Sequence, residues 1–223
     1  MEPVAVVGGT GPQGSGLALR LALAGHRVLL GSRSVERAAA KAAELAEQGA
    51  ETIEPATNQD AVRSADVVLL AVPYDGHDEL VAELAPLLTD KVVVTCVNPL
   101  AFDARGPVGL LGGTSAAETT QELVPDAAVV GAFHHLSAVS LNDPAVPLTE
   151  HSVMVCADDE AAADRVAALA ESVTGRLGVC VGALRLARHL EPLTAVLIST
   201  NRRYRTHSGI ALAAVPEGPP VRR

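Results

Sequence analysis

The chain has 223 residues, 48% of them hydrophobic and 19% charged, a balance that fits a folded globular protein and excludes a disordered one. Its net charge of −9 excludes nucleic acid and an anionic membrane surface as general partners. No apolar run reaches the roughly 18–20 residues of a membrane helix, and an aromatic content of 2% leaves no stacking platforms for bases.

A first strand expected from about residue 4 leaves no room for a signal peptide. Cys96, Cys156 and Cys180 lie in or beside apolar runs, odd in number and without paired spacing. They read as reduced core thiols, and the expected location is cytoplasmic.

The apolar run Val4-Ala5-Val6-Val7 enters a glycine cluster, Gly8-Gly9-Thr10-Gly11-Pro12-Gln13-Gly14, and an amphipathic segment leaves it toward Gly25. This is the strand, turn and helix order that presents backbone N–H groups to a pyrophosphate. Within Gly9-x-Gly11-x-x-Gly14, Gly9 is expected to make the tight turn and Gly11 to let backbone approach phosphate. Gly14 would let the helix lie close on the strand, and Pro12 suits a first helical position. A second strand at 27–31 follows, then a helix at 34–48. Where dinucleotide folds that take NAD place a carboxylate for the ribose 2′-hydroxyl, this chain has Gly31-Ser32-Arg33, with Arg37 one helical turn on. A guanidinium suits a phosphate through its planar fork of donors, so NADP is expected over NAD.

Further strands are expected at 51–54, 66–72, 91–97 and 127–133, with helices at 76–89 and 115–123. The second of these helices opens on Ser115-Ala116-Ala117-Glu118, a capping-box pattern. Residues 98–113 and 136–150 read as long loops of the kind that carry function. A strand at 152–156, a helix at 159–173 and a strand at 177–181 complete an αβ unit. A last helix over 183–203 carries Leu186, Leu190, Leu193 and Leu197 on one face, with Pro192 expected to kink it. The expected fold is α/β, a Rossmann-type doubly wound and mostly parallel sheet with a small C-terminal α/β domain. The domains are drawn as 1–150 for NADP, 151–215 completing a cleft, and a disordered tail at 216–223.

Ligands of an open parallel sheet lie beyond the carboxyl ends of its strands. That rule selects Thr10–Gln13, Ser32 and Arg33, Pro73 and Tyr74, Asn98 and Pro99, and His134–Leu136. Tyr74 reads equally as a residue packed on a cofactor and as a surface tyrosine. His134 and His135 point opposite ways on an extended chain, so they cannot share one metal, and no metal is expected. Only two lysines exist, Lys41 in a helix and Lys91 at the wrong end of a strand. With no lysine to act as a general base, the pattern leans toward hydride exchange between two heteroaromatic rings.

At this point the chain resembles the NADPH:coenzyme F420 oxidoreductases, also called F420-dependent NADP reductases. The likeness rests on Val7-Gly8-Gly9-Thr10-Gly11-x-x-Gly14, Gly31-Ser32-Arg33, Pro73-Tyr74, Ser115–Glu118, Ala132-x-His134, Leu190-x-Pro192-Leu193 and Gly209-Ile210. It covers about residues 3 to 213. The resemblance implies that Gly9, Thr10, Gly11, Pro12, Gln13 and Gly14 hold the pyrophosphate, while Ser32, Arg33 and Arg37 hold the 2′-phosphate. Pro73, Tyr74, Asp78 and Asn98 would line the NADP pocket. The F420 deazaflavin would be bounded by Thr10, His134, Leu136, Ala138 and Ser208, with Arg185 in support.

Thr10 and His134 are the expected catalytic pair, orienting the acceptor ring, and a homodimer through the leucine face is implied. Arg37 stands where relatives carry lysine, His135 and Ser137 replace smaller or apolar residues, and His189 and Glu191 replace small hydroxyl residues. The run Arg202-Arg203-Tyr204-Arg205 either meets the acidic tail of the deazaflavin or is a solvated helix end, where cations are favourable anyway. The alternatives are an NADP-dependent imine or carbonyl reductase with His134 as proton donor, and a non-catalytic NADP(H)-sensing protein without the second ring site.

Overall fold

A computed structural model describes residues 2–110 and 113–216. The short apolar runs of the sequence become eight strands of one sheet. They are β1 (Val4–Val7), β2 (Val28–Ser32), β3 (Ile53–Thr57), β4 (Val67–Leu70), β5 (Val92–Thr95), β8 (Ala128–Gly131), β9 (Met154–Ala157) and β10 (Val179–Gly182). Between β5 and β8 lie β6 (Leu100–Asp103) and β7 (Gly106–Gly109), which pair with each other as an antiparallel hairpin. The sheet order is β10-β9-β8-β5-β4-β1-β2-β3. Every pairing in it is parallel except β8 with β9. The order reverses beside β1, with β2 on one flank and β4 on the other. Such a reversal opens a crevice at the carboxyl ends of those strands.

The helices are α1 (Pro12–Leu23), α2 (Val35–Ala46), α3 (Asn58–Arg63), α4 (His77–Leu88), α5 (Ala116–Leu123), α6 (Ala138–Leu141), α7 (Glu160–Thr174) and α8 (Ala187–Tyr204). A 3₁₀ turn at Leu184–Leu186 leads into α8. Alternation along each strand sends side chains to two faces. Val4, Val6, Val28 and Leu30 pack with Leu17 and Leu21 of α1, Leu45 of α2 and Val166 of α7. Ala5, Val7, Val68 and Leu70 pack with Val62 of α3, Leu84 of α4, Ala117 of α5 and Leu190 of α8. With helices on both faces, the strands must be apolar throughout, and β1, β4 and β5 are buried at every position.

Side chains mark several helix starts. Ser34, Thr57 and Asp159 accept from the backbone N–H of Arg37, Asp60 and Ala162, and Ser115 with Glu118 forms the expected capping box. Caps of this kind stabilise a helix by about 1 kcal/mol each.

The doubly wound sheet stands as expected, with differences in detail. Helix α3 was not foreseen, and β3 lies at 53–57, later than the expected 51–54. The loop expected at 98–113 contains the β6–β7 hairpin, and α6 interrupts the loop at 136–150. Strands β9 and β10, from the segment set apart as 151–215, lengthen the main sheet. Helix α8 continues through Pro192. Its leucine face is only partly turned inward: Leu190 is buried and Leu186 packs against the same core cluster, while Leu193 and Leu197 are half-buried. The expected tail lies, from residue 217 on, outside the described residues. Among the described residues no helix is long and apolar enough to cross a membrane.

Candidate functional site

Strand β1 hands the chain to α1 through the glycine cluster. The left-handed turn falls at Gly8, with φ +75, and not at Gly9 as the motif alone implies. Gly9 instead donates its N–H to Gly31 O (2.9 Å) and fills a space closed by Leu30. Gly14 does what the spacing predicts. A Cβ there would stand 2.6 Å from Gly8 O and 2.8 Å from Gly9 Cα, so only glycine lets the first turn of α1 lie on the loop. Pro12 opens α1 after Gly11, which supplies no side-chain cap. The N–H groups of the first turn, Gln13 and Gly14 among them, therefore face outward with the positive end of the helix behind them, the arrangement that receives a phosphate.

At the end of β2, Ser32 is buried and its Oγ accepts from Ser34 N (3.4 Å). Ser34 in turn caps α2, which fixes where Arg37 leaves the helix. Arg33 and Arg37 are exposed, and among the described residues no carboxylate pairs with either. Asn58, at the start of α3, was missed. Its buried side chain accepts from Gly8 N (3.4 Å) and sits against Gly31, joining the glycine loop to the β2 end. The Thr57-x-x-Asp60 cap was its available signal.

Beyond β4 and β5, the structure brings Pro73, Tyr74, Asp78 and Asn98 together around a cleft of about 660 Å³, closed on one side by Leu100 and Phe102 of the hairpin. Tyr74 is exposed. Asp78 accepts from Nδ1 of the buried His77 (2.7 Å), whose Nε2 lies 3.1 Å from Thr120 Oγ1. Asn98 donates to His134 O (3.4 Å), and the Thr194 hydroxyl of α8 stands 3.2 Å from Asn98 Oδ1 and 3.1 Å from His134 O.

Beyond β8, Phe133 takes a left-handed conformation, φ +63, a strained setting for a bulky residue. Its carbonyl accepts from Gln13 Nε2 (3.2 Å), which ties the glycine loop to the start of the next wall. His134 follows. Its ring is buried beside Gly131, and neither ring nitrogen has a partner among the described residues. Burial, reinforced by the neighbouring His135, pushes it down to about 3, so it is neutral in any ordinary buffer. His135 donates from Nε2 to Leu190 O (2.6 Å).

The wall continues through the buried Leu136 to Ala138 on α6. Asn142 donates to Pro12 O and to Ala138 O, both at 2.7 Å, and accepts from the Ser15 hydroxyl (2.9 Å). Arg20 of α1 holds the same segment through the carbonyls of Ser140, Leu141, Asp143 and Val146. Gln13 and Asn142 thus tie the start of α1, next to the loop that carries Thr10, to the segment running from His134 through Leu136 to Ala138. Ser208 is tied to α8, its N–H and hydroxyl both donating to Asn201 Oδ1 (2.7 and 2.6 Å). Arg185 stands apart. It is exposed on the 3₁₀ turn, next to Leu184, whose N–H donates to Asp158, and it has no hydrogen bond to either cleft among the described residues.

Comparison with known proteins shows the family. Residues 3–99 match the family model described as NADP oxidoreductase, coenzyme F420-dependent. The F420-dependent NADP reductase of Methanothermobacter thermautotrophicus is 36% identical over 96% of this chain and 96% of its own length. That of Methanocaldococcus jannaschii is 37% identical over 91% of this chain and 94% of its own. A solved structure from Arthrobacter sp. FB24, provisionally assigned as an F420-dependent NADP reductase, superposes with a TM-score of 0.82 at 28% identity, covering 96% of this chain and all of that one. With the glycine turn, the arginine corner and the second wall all inside the matched length, the chain belongs to the family of F420-dependent NADP reductases.

Proposed function

We infer that the chain is an oxidoreductase that moves a hydride between NADP(H) and coenzyme F420. The observation that carries this reading is the sharing of α1 between two walls, one at the glycine loop and one at β8–α6, held together through Gln13 and Asn142. The chemistry lies in the two substrates: two electrons and one hydrogen pass between the nicotinamide C4 and the deazaflavin C5.

The chain's part is positioning. The uncapped first turn of α1 takes the pyrophosphate, and Ser32, Arg33 and Arg37 take the 2′-phosphate. Pro73, Tyr74, Asp78 and Asn98 border the nicotinamide end. Thr10, Leu136, Ala138 and Ser208 bound the second ring. His134, neutral and with ring nitrogens lacking a protein partner, lends an N–H or a lone pair to that wall. A histidine held neutral to about pH 3 is a poor protonated acid, so nothing favours the imine-reductase alternative. Shape and fixed dipoles serve a hydride step whose rate depends on ring-to-ring approach, and the proton that the reduced deazaflavin also takes up comes from solvent.

We also place the chain in the cytoplasm, a reading supported by three cysteines that form no disulfide. A homodimer is the proposed assembly, through the leucine face of α8, to which the half-buried Leu193 and Leu197 and the neighbouring exposed Val196 contribute. Mixing the protein with NADPH and oxidised F420 and following loss of the deazaflavin absorbance tests the activity. Turnover of F420 is expected; binding of NADPH with no turnover of any deazaflavin would overturn it. Sedimentation at micromolar concentration tests the dimer.

A further inference from the structure

Between α6 and the end of α8 lies a second cleft, of about 520 Å³. Its floor is apolar, built from Ala138, Val139 and Ile198, and its rim carries Arg202, Arg205 and His207. No carboxylate among the described residues lines it. Among the described residues neither Arg202, Arg203 nor Arg205 enters an ion pair. In a chain with 26 acidic and 17 basic residues, that is a local excess of positive charge against the overall field.

Favourable interaction with the carboxyl end of α8 accounts for cations here in general. It does not account for their grouping at the mouth of an apolar cleft. Nor does it explain Arg205, which takes a left-handed conformation, φ +53, to close the helix. Arg202 is held in place: its guanidinium lies 5.7 Å from the Phe102 ring centroid, on the hairpin that borders the first cleft. The cleft also adjoins the second-ring wall. Ala138 belongs to both, and Asn201, which lines the cleft, carries Ser208.

We propose that Arg202 and Arg205 form an anion rim that receives the phosphate and glutamate carboxylates of the F420 tail, where this cleft runs on from the second-ring wall at Ala138. The assignment rests on F420 being the second substrate. A flat apolar ring ending in a polyanion is the ligand chemistry that this pairing of wall and rim fits. Being exposed, the rim acts through long-range attraction as well as contact, so salt weakens it.

The test uses the whole protein at saturating NADPH with two acceptors: F420 bearing several glutamates, and the same deazaflavin with neither phosphate nor glutamates. The variant Arg202→Ala/Arg205→Ala is expected to raise the KM for tailed F420 by roughly tenfold or more and to leave that of the tail-free core within about twofold. Arg202→Lys/Arg205→Lys is expected to restore most of the loss. Added salt should reproduce it in the wild type for the tailed acceptor only. An equal change for both acceptors, or none, overturns the rim while leaving the oxidoreductase standing. Failure of the wild type to reduce either acceptor overturns the functional reading and the rim together.

Discussion

The Glu191 carboxylate of α8 accepts the Ala116 N–H at the start of α5 (2.8 Å), with a second bond from Ala117 N (3.0 Å). One helix thus serves two first-turn N–H groups of another that its own capping box leaves over, from 74 and 75 residues away. Beside it, Arg188 pairs with Glu118 of the capping box, so α5 and α8 are joined twice. Helix α8 then carries Thr194 to the His134 carbonyl and Asn201 to Ser208.

Burial pushes the Glu191 carboxyl up to about 7, against the lowering by the two N–H donors, and the Glu118 carboxylate adds to the rise. A carboxyl raised in the folded state binds its proton more tightly there than in the unfolded chain. Its contribution to stability is full below about 4.5 and is lost as pH climbs through about 7. Glu191→Gln keeps an acceptor and does not titrate. Between pH 5 and pH 8 the wild type is expected to lose up to roughly 3 kcal/mol that Glu191→Gln does not lose. Thermal melts of both proteins across that range would show it as a gap of several degrees at high pH. Parallel curves would remove Glu191 from the account. Glu191→Ala strands two N–H groups and is expected to cost about 1–3 kcal/mol near pH 5, a cost that shrinks as pH climbs through about 7.

Arg33→Ala should weaken NADPH far more than NADH, because only the former carries the 2′-phosphate. Loss of one charge-assisted contact predicts roughly a 10- to 100-fold rise in the NADPH constant. Removing Arg37 as well should deepen it. Titration of each cofactor by fluorescence decides the matter, and equal losses for NADPH and NADH would sink the phosphate corner.

How much of this was legible in the residues differs by element. The glycine loop, the arginines after β2 and the Ser115–Glu118 box depend on neighbours in sequence, and all are where their spacing puts them. The β6–β7 hairpin was hidden because Gly106, Pro107 and Gly109 have the composition of a loop, and antiparallel pairing across a short turn rescues a strand from that composition. The reversed β9 could have been foreseen. Parallel strands are usually joined by a crossover helix, and the connection between β8 and β9, though long, holds only the four-residue α6. The Glu191 cap, the orphaned nitrogens of His134 and the four carbonyls around Arg20 join residues far apart in the chain, so no local pattern announces them.

His134 predicts a flat response where histidines usually act. Since it is held near 3, its proton state does not change across the physiological range, and turnover should show no inflection near 6.5 from this residue. The sign for stability is opposite to that of Glu191. A histidine depressed in the fold contributes stability that is full above 6.5 and is lost as pH falls toward about 3. A pH–rate profile of wild type against His134→Gln separates the two effects. A shared shape with a lowered plateau is expected, and loss of a wild-type inflection near 6.5 in the variant would contradict it.

Gly16→Ala should be costly although the position lies inside a helix, where alanine is ordinarily preferred. A Cβ at Gly16 would stand 2.5 Å from Leu141 Cβ and 2.8 Å from Asn142 Nδ2, so α6 would have to move off α1. A loss of about 1–3 kcal/mol is expected, read from urea unfolding. An unchanged midpoint would mean that the α6 segment yields freely, contrary to the four carbonyls that Arg20 gathers.

The corner after β2 keeps its hydrogen bonds to itself, with Ser32 and Ser34 serving only β2 and α2, whereas Asn142 and Arg20 bind α6 to α1. On the proposed assignment the choice of dinucleotide becomes a detachable trait: exchanging residues 32–37 is expected to redirect the protein from one nicotinamide cofactor to the other while leaving the proposed deazaflavin face undisturbed. The first turns of α1, shared by both proposed walls, are expected to offer no such freedom.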